Sequence, residues 1–203
     1  MYMYSQEYKW RSSMTWILRG IIALPVWLHA ALAVGTVVWF GWSKGKLDAS
    51  YAASGHPVNY MTGQTRFSGT QVKEYYAVMA DAGTLDIYYA TQLIDFAFIL
   101  GFVGIGLFIC SLIARACRPD SWGRKLGKFA GFAFIAGAIC DAIENGWSFI
   151  MLAQPATFAN WLALPYSGFA VLKFVLVSLG LCCILACLVL AGFGRILGKP
   201  KIG

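Results

Sequence analysis

Charged residues are scarce in this chain. Asp, Glu, Lys and Arg make up 12% of its 203 residues, against about 25% in an ordinary soluble domain. The shortage is concentrated in a few long apolar runs, and the mean hydropathy is +0.65. A water-soluble globular domain is therefore excluded, and an integral membrane protein is implied. Histidine is scarcer still, with only His29 and His56. One histidine in an apolar run and one in a loop cannot supply the two axial ligands of a b-type haem. Glu-x-x-His pairs are absent, which removes the carboxylate di-metal centre and offers zinc no ligand set. GxSxG, P-loop and HExxH motifs are absent too. None of the six cysteines falls in the one long loop, where a disulfide framework would be expected. They read as small apolar core residues. No cofactor is implied, although a bound lipid fits the composition.

Four apolar runs are present, at about 20–42, 87–114, 129–153 and 166–193. Each meets the roughly 20 residues needed to cross hydrocarbon. The expected fold is all-α, a single-domain four-helix transmembrane bundle over 1–203. The first run follows basic residues like a signal peptide. It is longer than the 7–15 residues of a signal core, so it reads as an uncleaved helix. Pro25 sits in its first turns, where a missing N–H is tolerated.

The loop 43–86 holds one further element. Ser68-Gly-Thr-Gln71 has the form of a capping box, and Gly83 supplies a stop. Between them Val72, Tyr75, Tyr76 and Met79 form a helical apolar stripe. This predicts a short amphipathic helix over about 71–81, lying on the membrane face. Thr84 is placed to cap the next helix.

A net charge of +7 raises the question of nucleic acid. The basic residues instead flank the apolar runs, which is a topology signal, and no basic stripe crosses a foldable soluble segment. Eleven Lys and Arg lie in the N-terminal flank, the 115–128 connector and the tail; four lie in the long loop and none in 154–165. Both termini and the connector are expected on the positive side, cytoplasmic or matrix. A bacterial inner membrane and an organelle membrane such as the mitochondrial inner membrane both fit. Trp39, Trp42, Tyr88, Tyr89, Trp161 and Tyr166 are expected to belt the opposite interface. Gly101, Gly104 and Gly106, and Gly127, Gly131 and Gly137, permit close helix approach.

The few ionisable residues inside the runs carry the functional interest. Asp95 lies in the second run, Asp141, Glu144 and Asn145 in the third, and Lys173 in the fourth. An ionised side chain at this depth costs about 2.5–3.5 kcal/mol even on the lenient insertion scale, so such residues pair, line a polar cavity or work. Counting helical rise puts Asp95, Glu144 and Lys173 about 10–13 Å in from the end opposite the basic connector. Asp141 falls one turn deeper, with His29 at a similar level. Asp141, Glu144 and Asn145 share one helix face. Three acids against one lysine leave two surplus negatives, which calls for a proton on an acid or a bound cation.

Three readings stay open. In a polar clasp, Lys173 neutralises one acid while Asn145, Gln92, Thr91, Tyr88 or Tyr89 satisfies the rest. In a cavity, the same residues bind the polar head of an apolar ligand. In the third, they form a proton or ion path. His29 alone reads as a packed core residue.

Residues 67–175 resemble a group of small four-helix bacterial membrane proteins of unassigned function. The resemblance rests on Phe67-Ser68, Tyr75, Gly83, Tyr88, Leu93-Ile94-Asp95-Phe96-Ala97-Phe98, Asp141-Ala142-Ile143-Glu144-Asn145 and Leu172-Lys173. It implies that Asp95, Asp141, Glu144, Asn145 and Lys173 act as one unit. The chain departs from the group in lacking the proline after the Asp95 element. It also lacks the basic residue that follows the loop glycine. A fainter architectural similarity is to sterol-isomerase and sigma-2-receptor type proteins. The leading functional expectation is a non-enzymatic accessory or structural subunit of a larger membrane complex, contacting lipids and other integral subunits. The second is a binding protein or isomerase for a lipid or sterol-like ligand. The third is a proton-coupled carrier, disfavoured by the lack of an inverted repeat.

Overall fold

The computed structural model describes residues 17–18 and 20–197, with side chains as far as Ala191. Lys9, Arg11, Arg19, Lys199 and Lys201, and the side chain of Arg195, lie outside the described residues. Among the described residues every regular element is helical. In chain order they are α1 (Val26–Ala53), α2 (Tyr60–Gln64), α3 (Gly69–Asp81), α4 (Leu85–Arg115), α5 (Trp122–Leu152) and α6 (Ala163–Leu197). A π turn at Ile105–Ile109 interrupts α4. The helices α1, α4, α5 and α6 are long and apolar enough to cross a membrane. The chain is an integral, multi-pass, four-helix membrane protein.

The second and fourth spans fall close to where the hydropathy placed them, while the third begins at Trp122, seven residues before the expected 129, so that Arg124, Lys125 and Lys128 of the connector are helical. The first departs further. Pro25 stands at the N-cap of α1, and the helix continues eleven residues past Trp42 to Ala53. Ser43, Lys44, Lys46 and Asp48 had marked the start of a loop. They are helical because Lys44 and Asp48 pair at i,i+4 in the open (2.5 Å), and no glycine in left-handed geometry arrives before Gly55 (φ 65°). At 28 residues α1 is about 42 Å long, so its polar end projects beyond a ~30 Å hydrocarbon layer. This shift moves Trp39 and Trp42 away from the expected belt. The Trp39 indole donates to the Ala97 carbonyl at 2.8 Å, well down α4. Tyr88 and Tyr166 also leave the belt, being 3% and 2% exposed.

The capping-box helix forms as α3. Ser68 accepts from the Gln71 amide, and Gly83 closes the helix at φ 70°. Its apolar stripe packs on protein rather than lipid. Val72, Tyr76 and Met79 join Tyr88 of α4, Met151 and Leu152 of α5, and Phe158, Leu162 and Tyr166 near α6 in one buried cluster. Each large apolar side chain so buried contributes about 1.5–3 kcal/mol. A Cβ on Gly69 would stand 2.4 Å from Asn160 Cα, and Lys73 Nζ donates to Asn160 Oδ1 at 2.8 Å. So α3 caps the bundle end opposite the basic connector. Thr84 occupies the N-cap position of α4 without capping it. Its hydroxyl instead donates to Ser54 O at the end of α1 (2.6 Å).

The long helices pack in sequence order, α1 on α4, α4 on α5 and α5 on α6. Between α1 and α6 there is no extensive packing among the described residues. The bundle is therefore an open arc, and the gap between its two ends positions the site.

Candidate functional site

Lys173, on α6, points into α5. Its ammonium donates to Asp141 Oδ1 (2.8 Å), Glu144 Oε2 (2.5 Å) and Gln64 Oε1 (3.2 Å). The three side chains of this ion triad are 8%, 3% and 0% exposed. The i,i+3 spacing sets both acids on one face of α5, so one cation reaches both. Gln64 comes from the short helix α2, which the sequence reading left as loop. Asn59 caps α2 by accepting from the Thr62 amide.

Asp95 is not part of that triad. Its Oδ2 accepts from Asn145 Nδ2 at 2.8 Å, and no cation pairs with it among the described residues. Gln92, one turn earlier, has a buried Oε1 with no partner. Thr91 bonds Ser50 of α1 (2.7 Å), and Tyr89 is exposed. The clasp is thus half built. Lys173 closes it between α5 and α6, while on α4 Asp95 is met by Asn145 alone.

Asp95, Gln92 and Thr91 face a cavity of about 260 Å³. Lys44, Leu47 and Tyr51 of α1 form one wall, and Lys173, Phe174 and Val177 of α6 another. Phe98 and Phe102 line the cavity toward the connector end. The mouth is aromatic. Tyr51 lies 3.9 Å from Tyr60 and 5.2 Å from His56, centroid to centroid, and His56 lies 5.2 Å from Tyr88. Tyr51 OH donates to Val58 O (2.7 Å) and Tyr60 OH to Asp48 Oδ1 (2.9 Å). Burial holds the His56 imidazole below its ordinary pKa of 6.5, against a hydrogen bond to Val58 O that raises it. It is therefore neutral at pH 7. Tyr88 is among the polar partners expected from the sequence; Tyr51, His56 and Tyr60 are not, because each sits in a loop or at a helix end with no motif around it.

His29 belongs elsewhere. With the first run ending at 42, His29 is expected level with Asp141, but α1 ends at Ala53, which carries His29 far toward the connector end. There its Nε2 donates to the carbonyl of Phe108 in the π turn and lies 3.0 Å from Ser111 Oγ. It does not line the cavity. Among the described residues no three of His, Cys, Asp and Glu are placed to hold a metal ion.

Chemically, the site offers a buried triad of one ammonium shared by two carboxylates, one carboxylate without a cation, unfilled amide acceptors, and apolar walls open along a helix gap. Comparison with family models, with curated proteins and with solved structures returned no match to this chain.

Proposed function

We propose that this protein binds a small amphiphilic ligand in the cavity between α1, α4 and α6. The observation that carries the reading is the setting of Asp95: a buried carboxylate without a cation, at the wall of a cavity whose other surfaces are largely apolar. Buried polar groups without partners are costly, so a ligand head that fills Asp95 and Gln92 is favoured. The separation of α1 from α6 supports entry from the lipid rather than from water. The basic connector supports an orientation with the cap end and the cavity on the far side from the cytoplasm or matrix. A structural-subunit role rests only on surface aromatics and basic flanks, features common to small membrane bundles.

The test is photolabelling in lipid nanodiscs with a single-chain amphiphile bearing a diazirine in its tail. Labels should concentrate on cavity-wall peptides of α1 and α6. Leu47→Trp, which fills the space from the α1 wall, should cut that labelling several-fold and leave background labelling of the lipid faces intact. Uniform labelling of all lipid-facing surfaces, indifferent to Leu47→Trp, would sink the proposal.

A further inference from the structure

We infer that the head of the bound amphiphile is an organic ammonium group, held between the Asp95 carboxylate and the aromatic rings of the cavity. This rests on the amphiphile reading above and adds the chemistry of the head.

The charge balance of the site leads to it. Among the described residues Lys173 is the only cation within the polar layer, and all three of its N–H groups are used on Asp141, Glu144 and Gln64. One cation against Asp95, Asp141 and Glu144 leaves two surplus negatives, to be met by a proton or by a bound cation; Asp95, at the cavity wall and without a cation of its own, is the acid open to a bound one. Lys44, the other lysine at the cavity, is turned to Asp48 at 2.5 Å. Asp48 also accepts from Tyr60, so this exposed outer pair carries no net charge. His56 adds no charge of its own at pH 7. Asp95 is therefore met directly only by the neutral amide of Asn145, and the two lysines that line the cavity, Lys44 and Lys173, are each paired with carboxylates.

The rings supply the second half of the argument. Tyr51, Tyr60, Tyr88, Phe98, Phe102 and Phe174 all border the cavity. An acid among several aromatic faces is the arrangement that recognises ammonium groups, because ring faces attract a cation and alkyl substituents on nitrogen are apolar. An anionic head would meet Asp95 and those ring faces unfavourably. A neutral hydroxyl would satisfy Gln92 yet leave the charge of Asp95 uncompensated. The cavity volume of about 260 Å³ suits a head with a short stretch of chain, the remaining tail lying along the gap between α1 and α6.

The experiment compares two probes of equal chain length, dodecyltrimethylammonium and dodecanol, at submicellar concentration. Each competes against the photolabel on the full chain in neutral-lipid nanodiscs. The ammonium should compete about tenfold more strongly than the alcohol. Asp95→Asn should remove that preference, so that the two probes compete equally. Tyr51→Leu should reduce the preference in part. The wild-type comparison needs no variant, so a poorly folded Asp95→Asn would not shield the inference. Equal competition by both probes on the wild type overturns the ammonium assignment and leaves the amphiphile cavity standing. Failure of both probes to compete overturns the two together.

Discussion

Lys173→Met is expected to destabilise the protein by about 3–5 kcal/mol, the usual result of removing one partner from a buried ion pair. Here the loss strands two carboxylates. Asp141 and Glu144 are 3% and 0% exposed and rely on the same ammonium, while Glu144 Oε1 already lacks a hydrogen bond. A single change thus leaves two adjacent acids between α5 and α6, the most extensively packed pair of helices. The energy lies in the mismatch rather than in the triad as such. The triple variant Asp141→Asn, Glu144→Gln, Lys173→Met should recover most of the loss, because neutral groups of similar size carry little of the desolvation cost of ions. Thermal unfolding in mild detergent measures both. A single variant as stable as wild type, or a triple variant no better than the single, would contradict the triad.

The second large effect concerns the crossing of α4 and α5. A Cβ on Gly106 would stand 2.6 Å from the Gly131 carbonyl oxygen, and one on Gly131 would stand 2.7 Å from the Gly106 oxygen. Both obstacles are backbone, so no side-chain rotation relieves them. Gly131→Val should therefore separate the helices at the π turn, costing at least the 1–3 kcal/mol typical of overpacking. Gly146→Ala and Gly168→Ala, with nothing within 4 Å of the added carbon, should change stability little. Thermal unfolding of the three variants decides it. If Gly131→Val melts with the two controls, the close contact does not exist in the membrane.

Much of this architecture was legible in the chain. Three spans, the Ser68 cap, the Gly83 stop and the small-residue contact between α4 and α5 each have a local signal, in hydropathy, in capping chemistry or in glycine spacing. The shared face of Asp141, Glu144 and Asn145 also follows from helical period alone. What could not be read depends on contacts between distant segments. Lys44 and Asp48 looked like a loop because charge was taken to end a span, when it only ends the hydrocarbon. That error carried His29 to the wrong depth and Trp39 to an interface, when it lies beside Ala97 well down α4. The stripe of α3 gave an amphipathic helix correctly, yet pattern alone cannot say whether an apolar face meets lipid or protein. Gln64 and His56 carry no motif. They reach the site because α2 and the end of α1 fold back over the gap, which only the tertiary structure reveals. The partition of the acids was likewise beyond the sequence, since helical rise puts Asp95 and Glu144 level with Lys173 and Asp141 a turn deeper, whereas Lys173 pairs with Asp141 and Glu144.

That partition, with Asp141 and Glu144 on Lys173 and Asp95 on the cavity, is the centre of the account. A crystal structure from a lipidic mesophase, without added ligand, tests it most directly. The account predicts Lys173 within hydrogen-bond distance of both α5 acids, and elongated density between α1 and α6 ending within hydrogen-bond distance of Asp95. A collapsed gap, with α1 packed against α6 and Asp95 joined to Lys173 or Lys44, would contradict it.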